Sequence, residues 1–159
     1  MKLRFFIFGK AKEPFIKEGY EEYLKRLSKF AEASIIYLNE SPLSSNPSYS
    51  EISKALIEEG KKVLLQIKDS DYMCLIDLHG KTYTSEEFAS FLKEEMVKGS
   101  STFDFVVGSS YGLSDELRKR ADISICLSKM TTTHPLAMLL VLEQVYRAFK
   151  INSNQTYHK

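Results

Sequence analysis

The chain has 159 residues, of which 43% are hydrophobic, and this is enough for one domain over residues 1–159 with its own core. Its 22 basic and 21 acidic side chains nearly balance, which excludes a general electrostatic attraction to nucleic acid and leaves only local basic patches. The first apolar run is broken at Lys10, too early for a signal peptide or a membrane span, so we expect a cytoplasmic protein with no membrane partner.

The first half of the chain alternates between strand and helix patterns. Residues 3–8 predict a strand, and a helical pattern then runs to Leu27. Residues 35–38 predict a second strand. Serine, proline and asparagine are frequent in residues 39–50, which indicates an exposed loop, and a helix follows over residues 51–67.

The second half continues the alternation. A strand over residues 72–78 should stop at His79–Gly80, and Thr84 should cap a helix that ends near Gly99. The remaining predicted elements are a strand at 103–107, a turn at 108–112, a helix at 114–120 and a strand at 123–127. This order is typical of an α/β fold with a mainly parallel sheet, in which ligands bind beyond the carboxyl ends of the strands. The loops that begin at Leu78, Gly108 and Leu127 are therefore the candidate binding loops.

The cysteines and histidines predict no metal site. Cys74 and Cys126 each lie in an apolar stretch and are expected to be buried strand residues in a reducing compartment. His79, His134 and His158 are far apart and lack the paired spacing of metal ligands.

The last predicted helix is apolar on almost every face. Residues 136–142 are hydrophobic without interruption, and Val145, Tyr146, Ala148 and Phe149 follow. Such a helix must be buried on several sides, which a short chain achieves most readily by self-association. We predict a homodimer; the alternative is a central core helix in a monomer.

Residues 108–112 match the G-x-S-x-G pattern of a hydrolase nucleophile elbow. In that alternative Ser110 is the nucleophile, and the residues that would complete the triad and the oxyanion loop are Asp122, His134 or His158, and His79–Gly80. The two glycines also suit an ordinary strand-to-helix turn. Neither a dinucleotide fingerprint nor a phosphate-binding P-loop is present, which disfavours NAD and ATP.

Residues 127–135 predict a binding loop before the last helix. The threonines are available as helix caps, and Pro135 suits a first helical turn. Capping does not account for Lys129 and Met130 between two apolar elements, where an ordinary connection would be short and polar.

Several motifs together resemble one known family. They are Leu127-Ser-Lys-Met-Thr131, Glu143-Gln-Val-Tyr-Arg-Ala148, the terminal Tyr157-His158-Lys159, Phe105-Val-Val-Gly108 and Gly112-Leu113. The whole chain is similar to the ribosomal large subunit pseudouridine methyltransferase family RlmH, which belongs to the SPOUT superfamily. The combination of motifs is much more specific than any one of them.

The resemblance implies a homodimeric α/β fold with a deep trefoil knot near the C-terminus, whose loops bind S-adenosylmethionine. It also implies methyl transfer to N3 of a pseudouridine in 23S ribosomal RNA, in the large subunit or the whole ribosome. Residue spacing does not reveal a knot, because true knots are rare among folds. The rival without catalysis is a module that only binds ribosomes.

Site residues are carried over by position. The positions that match the cofactor-binding residues of the family are Ile76, Gly108, Leu127, Ser128, Lys129, Met130, Thr131 and Thr132. Tyr157 and His158 match the tail implicated in substrate handling, and Arg147 matches an arginine near the active site. His158 is the candidate base for the N3 proton, and Tyr157 is expected to stack on or orient the target base.

Three positions depart from the family pattern. Ser109 replaces a frequent glycine, Thr132 replaces a bulky apolar residue, and Met138 stands where arginine is usual. If that arginine contacts RNA phosphate or orders the dimer, we expect Arg147 or Lys150 to compensate. The lysines and arginine that could form a basic rim for RNA are Lys10, Lys12, Lys17, Arg147, Lys150 and Lys159.

Overall fold

The computed structural model describes residues 1–158, which form five strands and five helices in strict alternation. In chain order these elements are β1 (Lys2–Phe8), α1 (Pro14–Leu27), β2 (Glu32–Leu38), α2 (Tyr49–Leu64), β3 (Tyr72–Lys81), α3 (Ser85–Val97), β4 (Thr102–Val107), α4 (Asp115–Arg120), β5 (Ile123–Ile125) and α5 (His134–Asn152). Across these residues, no helix combines the length and apolar character that crossing a membrane requires.

All neighbouring strands of the sheet run parallel, in the order β2-β1-β4-β3-β5. On β1, Phe5 lies beside Ile35 of β2 and Phe105 of β4, and Phe105 in turn lies beside Cys74 of β3. The predicted α/β class with a parallel sheet is confirmed. The trefoil knot stays a prediction from the resemblance.

Helices cover both faces of the sheet, so the inner strands are buried on both sides. Successive side chains of a strand point to opposite faces, and β1 shows this directly. Its Phe5 and Ile7 belong to the core cluster that also contains the buried residues of α1, α3 and α5. Phe6 and Phe8 belong to a second cluster, with side chains of α2 and α4.

Capping boxes fix the start of two helices. Ser48 and Glu51 bind each other's backbone amides at the start of α2, and Thr84 and Glu87 do the same at α3. The cap expected at Thr84 is confirmed. The predicted loop over residues 39–50 extends too far, because the Ser48 cap starts α2 at Tyr49.

The predicted stop of β3 at His79–Gly80 is wrong, because the strand continues to Lys81. Its pairing with β5 is irregular, since both Ile76 and Lys81 pair with Ile125. Residues 77–80 between these partners therefore form an excursion from the regular ladder. At Gly80 a Cβ would lie 2.6 Å from the Ile125 nitrogen, so a side chain does not fit there. The predicted β5 is also too long, and buried Cys126 lies just beyond its end.

A partly buried ion pair joins β1 to the central strand β4. Arg4 on β1 donates to both carboxylate oxygens of Asp104 on β4, at 2.7 and 2.6 Å, and to Asp71 at 2.7 Å. The Asp104 side chain is fully buried. Burial raises its pKa above the usual carboxyl value despite the opposing effect of Arg4, whereas the bond to Asp104 raises the pKa of Arg4. For Asp104, desolvation outweighs the attraction of its partner.

We expect Arg4→Met to lower the free energy of unfolding at neutral pH by about 3–5 kcal/mol, because it leaves Asp104 charged and unpaired in the core. The loss should shrink as the pH falls through the still higher pKa that Asp104 acquires when Arg4 no longer lowers it, since a neutral carboxyl is less costly to bury. Urea unfolding at several pH values measures both effects. The control is Lys2→Met, whose partner Glu32 is exposed. Equal losses in the two variants would contradict the prediction.

Candidate functional site

The three loops singled out in the sequence converge on one cavity of about 800 Å³ at the carboxyl edge of the sheet. Parallel strands place their carboxyl ends at the same edge, so residues far apart in sequence meet there. Residues from the β3 excursion, the β4–α4 loop and the β5–α5 loop all line the cavity. The predicted cofactor residues in its wall are Ile76, Gly108, Leu127, Ser128, Met130, Thr131 and Thr132. Lys129 is exposed and does not line the cavity.

The β4–α4 loop (residues 108–114) folds tightly back on itself. The Gly112 amide donates to the Ser109 carbonyl at 3.0 Å, and these two residues form an isolated antiparallel bridge. A Cβ on Gly108 would lie 2.4 Å from the Gly112 carbonyl oxygen, so only glycine permits this approach. Gly112 itself has a φ of 107°. The close turn of the loop therefore requires glycine at position 108, which also lines the cavity.

The β5–α5 loop is fixed by short-range hydrogen bonds. The Met130 amide donates to the Ser128 hydroxyl at 3.0 Å, and the Cys126 thiol donates to the Ser128 carbonyl at 3.2 Å. Pro135 lies in the first turn of α5, as predicted. Thr133 is the N-cap, but its side chain makes no capping bond, so threonine capping is wrong here. The Met130 side chain is 79% exposed at the cavity rim.

A charged pair that the sequence did not single out lies in the cavity wall. Asp77 in the β3 excursion accepts a bond of 2.7 Å from Arg118 on α4 and one of 3.2 Å from the His79 amide. Arg118 also donates to the Leu113 carbonyl at 3.0 Å. The bond to Asp77 raises the pKa of Arg118. A charged residue inside an otherwise apolar strand was the available signal for Asp77.

The three predicted catalytic residues form one cluster, with Arg147 on α5 and Tyr157 and His158 in the tail that follows it. Arg147 donates to Glu143 on the preceding turn of the helix, and Tyr157 donates to the same carboxylate at 3.0 Å. The Tyr157 ring packs against the Tyr146 ring and under the Arg147 guanidinium. Burial raises the pKa of the Tyr157 phenol, which therefore stays protonated. The tail is thus docked on α5.

His158 is held at both ring nitrogens. Nε2 lies 2.7 Å from a Glu86 carboxylate oxygen on α3, and Nδ1 lies 3.3 Å from Arg147 Nη1. Since Arg147 only donates, a neutral ring carries its proton on Nε2 and accepts at Nδ1. His158 therefore links the helices α3 and α5.

The predicted catalytic residues Arg147, Tyr157 and His158 do not line the large cavity. A smaller cavity of about 50 Å³ shares Ile76 and Leu127 with the large one and extends to Thr84 and Gln144. Ser85, the residue before Glu86, donates to the Gln144 side chain at 3.2 Å.

The serine hydrolase alternative is wrong. Ser110 follows the carboxyl end of β4, whereas Asp122 precedes β5 and so lies at the opposite edge of the parallel sheet. Asp122 instead accepts from the Met73 amide and from Arg120. The candidate histidines pair elsewhere, His134 with Glu40 and His158 with Glu86. His79 and Gly80 lie within β3.

The structure also places Met138, which stands where the family usually has arginine. Met138 lies on α5 and is fully buried in the core, so its side chain does not reach a surface where RNA phosphate could bind. Within residues 1–158, no group of three histidine, cysteine, aspartate or glutamate side chains is arranged to hold a metal ion.

We expect Arg147→Ala to loosen the tail, because it removes a charged hydrogen bond and the packing over Tyr157. Exchange of the Gln155 amide, which donates to the Lys150 carbonyl, should accelerate by about tenfold or more. The control is Lys93→Ala on α3, an exposed lysine. Unchanged exchange in Arg147→Ala would show that the tail is held by other contacts.

Comparison with known proteins confirms the resemblance. The family described as "Predicted SPOUT methyltransferase" matches residues 1–158. Proteins named Ribosomal RNA large subunit methyltransferase H are 42% identical in Clostridium acetobutylicum, 42% in Carboxydothermus hydrogenoformans and 40% in Streptococcus pneumoniae. Each comparison covers 100% of this chain and 100% of the relative. The chain belongs to the SPOUT methyltransferase family.

Proposed function

We propose that this protein transfers a methyl group from S-adenosylmethionine to N3 of a pseudouridine in 23S ribosomal RNA, within the large subunit or the whole ribosome. The observation that carries the proposal is the convergence of the loops after β3, β4 and β5 on one cavity. Full-length similarity to proteins named as methyltransferases of large-subunit ribosomal RNA supports the substrate class.

The cavity suits a cofactor of this kind. Its volume of about 800 Å³ falls in the range of small-molecule sites, and Gly108 forms part of its wall. Ile76, Leu127 and Ala137 supply apolar walls. The chemistry that S-adenosylmethionine supplies when bound is an electrophilic methyl group on a sulfonium. The protein then mainly has to align the reacting atoms and exclude water.

His158 is the proposed acceptor of the N3 proton. Its Nδ1 carries a lone pair in the neutral ring, but Arg147 occupies that nitrogen. Proton transfer therefore requires Arg147 to release it, and an RNA phosphate is a strong alternative partner for the guanidinium. Substrate binding would thus free the base that the reaction needs. Tyr157, whose ring packs against that of Tyr146, is the residue proposed to orient the target base.

We assign the attraction of RNA to a local rim of basic side chains. Lys10, Lys12 and Lys17 are exposed, and the first two lie in the loop after β1, at the same edge of the sheet as the cavity. The net charge of only +1 provides no wider field. We therefore infer weak affinity for free RNA and dependence on the structured ribosomal surface. A ribosomal substrate favours a location in the cytoplasm. The free cysteines Cys74 and Cys126 favour the same location, because it is a reducing compartment.

Exposed leucines on α5 are the basis for proposing a homodimer. One face of the helix is buried in the core, but Leu136 and Leu140, one turn apart, remain 37% and 39% exposed. Met130 is exposed nearby, since it and Leu140 line the same cavity. An apolar patch of this kind beside a cofactor site suits a second copy of the chain.

The reaction is tested by mass spectrometry of 23S ribosomal RNA from cells without the gene. We expect one methylated pseudouridine to lose its methyl group and to regain it when the gene is restored. The purified protein with S-adenosylmethionine should restore the methyl group on ribosomes from those cells. Unchanged methylation in cells without the gene would contradict the proposal and favour a ribosome-binding module.

Deletion of residues 157–159 should abolish methyl transfer while leaving cofactor binding and dimerisation intact, because the deletion removes the proposed base but no cavity wall. Calorimetry and single-turnover assays separate the two effects. The control is Gln155→Ala, which changes an exposed tail residue bound to Lys150. A truncated protein that still methylates ribosomes would exclude His158 as the base.

We expect Leu140→Glu to produce monomers, because it places a charge in the proposed interface at a cost of several kcal/mol. Sedimentation analysis measures the mass. The control is Leu65→Glu, which changes a leucine that is 87% exposed at the end of α2. A dimer that survives in Leu140→Glu would place the interface elsewhere.

A further inference from the structure

Glu59 on α2 is a buried carboxylate that binds two separate loops. Its side chain is only 4% exposed. One oxygen accepts from the Ser41 amide at 2.8 Å, in the loop after β2. The other accepts from the Ser109 hydroxyl at 2.6 Å, in the β4–α4 loop. A single side chain thus connects α2 to a loop on each side of it.

The hydrogen-bond partners of Glu59 suit a carboxylate. Both partners of Glu59 are hydrogen-bond donors, and an ionised carboxylate only accepts. Among the described residues, no lysine, arginine or histidine forms an ion pair with Glu59. Burial of an unpaired charge is costly, and the two short bonds offset that cost only while both donors stay in place.

Ser109 is bound within its own loop by the Gly112 amide, and its hydroxyl supplies a bond from this loop to α2. Residues 109–111 line the cofactor cavity and also a second cavity of about 290 Å³ on the α2 side. Residues 109–111 therefore lie between two cavities, and the bond between Ser109 and Glu59 lies in the wall of the second one. The next residue, Gly60, lies so close to α4 that a Cβ would be 2.4 Å from the Ser114 hydroxyl. Neighbouring residues of α2 thus contact both ends of the loop.

We propose that Glu59 is a positioning residue that acts through Ser109 to hold the β4–α4 loop against the bound cofactor. The assignment of that cofactor rests on the proposed function. Glu59 itself does not line the cofactor cavity, so it acts without touching the ligand. Without the bond, the Gly108 backbone loses its fixed position in the cavity wall.

The first test needs no cofactor. Exchange of the Gly112 amide, which closes the loop on Ser109, should accelerate by about tenfold in Ser109→Ala and in Glu59→Ala. Glu59→Gln should show a smaller effect, because its amide can still bond the serine hydroxyl. The control is Glu58→Ala, an exposed neighbour whose side chain bonds only Ser41. Unchanged exchange in Ser109→Ala, which leaves α2 intact, overturns the proposal.

The second test measures S-adenosylmethionine binding by calorimetry. Ser109→Ala and Glu59→Ala should each raise Kd by about tenfold, and the double variant should be no weaker than either single one. The KM for the cofactor should rise while kcat at saturation stays near that of the wild type. Additive losses, or a fall in kcat alone, overturn the proposal. A wild type that fails to bind while the exchange results hold would refute the proposed function instead.

Discussion

Parallel pairing of β3, β4 and β5 is the constraint on which the site depends. It brings three loops from the second half of the chain to one edge of the sheet, where each contributes part of a single cavity. The residues that secure the sheet, Arg4 and Asp104, pair between β1 and the central strand β4 rather than in those loops. The stability of the sheet therefore does not depend on the cavity loops, so these loops can contain glycines and exposed side chains that contribute little to stability.

The sequence predicted the sheet and its loops well, because the strands are short apolar runs with turn residues between them. It predicted the cavity wall at Gly108 and Leu127 for the same reason, since position after a strand decides where a loop lies. It did not predict that β3 resumes after His79, because the partner that makes this possible is the backbone of Ile125. Periodicity within one segment carries no information about a distant strand.

The sequence could not predict the roles of Glu59 and Glu86 either. Each is an ordinary acidic residue on a helix, and only the tertiary structure places it beside Ser109 or His158. The structure accounts for serine at position 109, where the family frequently has glycine, because a glycine has no hydroxyl to donate to Glu59. Met138 is accounted for by burial, which suits methionine. Nothing in the structure explains Thr132.

The excursion in β3 also bears on how this fold can tolerate change. Pairing of β3 with central β4 is complete at Ile76, before the excursion begins, and only the three-residue outer strand β5 spans the irregularity. Insertions or deletions at Leu78 or His79 lie beyond the last β3–β4 pair, Ile76 and Val107, and so leave the register of that pairing unchanged. The segment that carries Asp77 and His79 into the cavity is thus where the protein can vary the shape of its binding pocket without refolding its core.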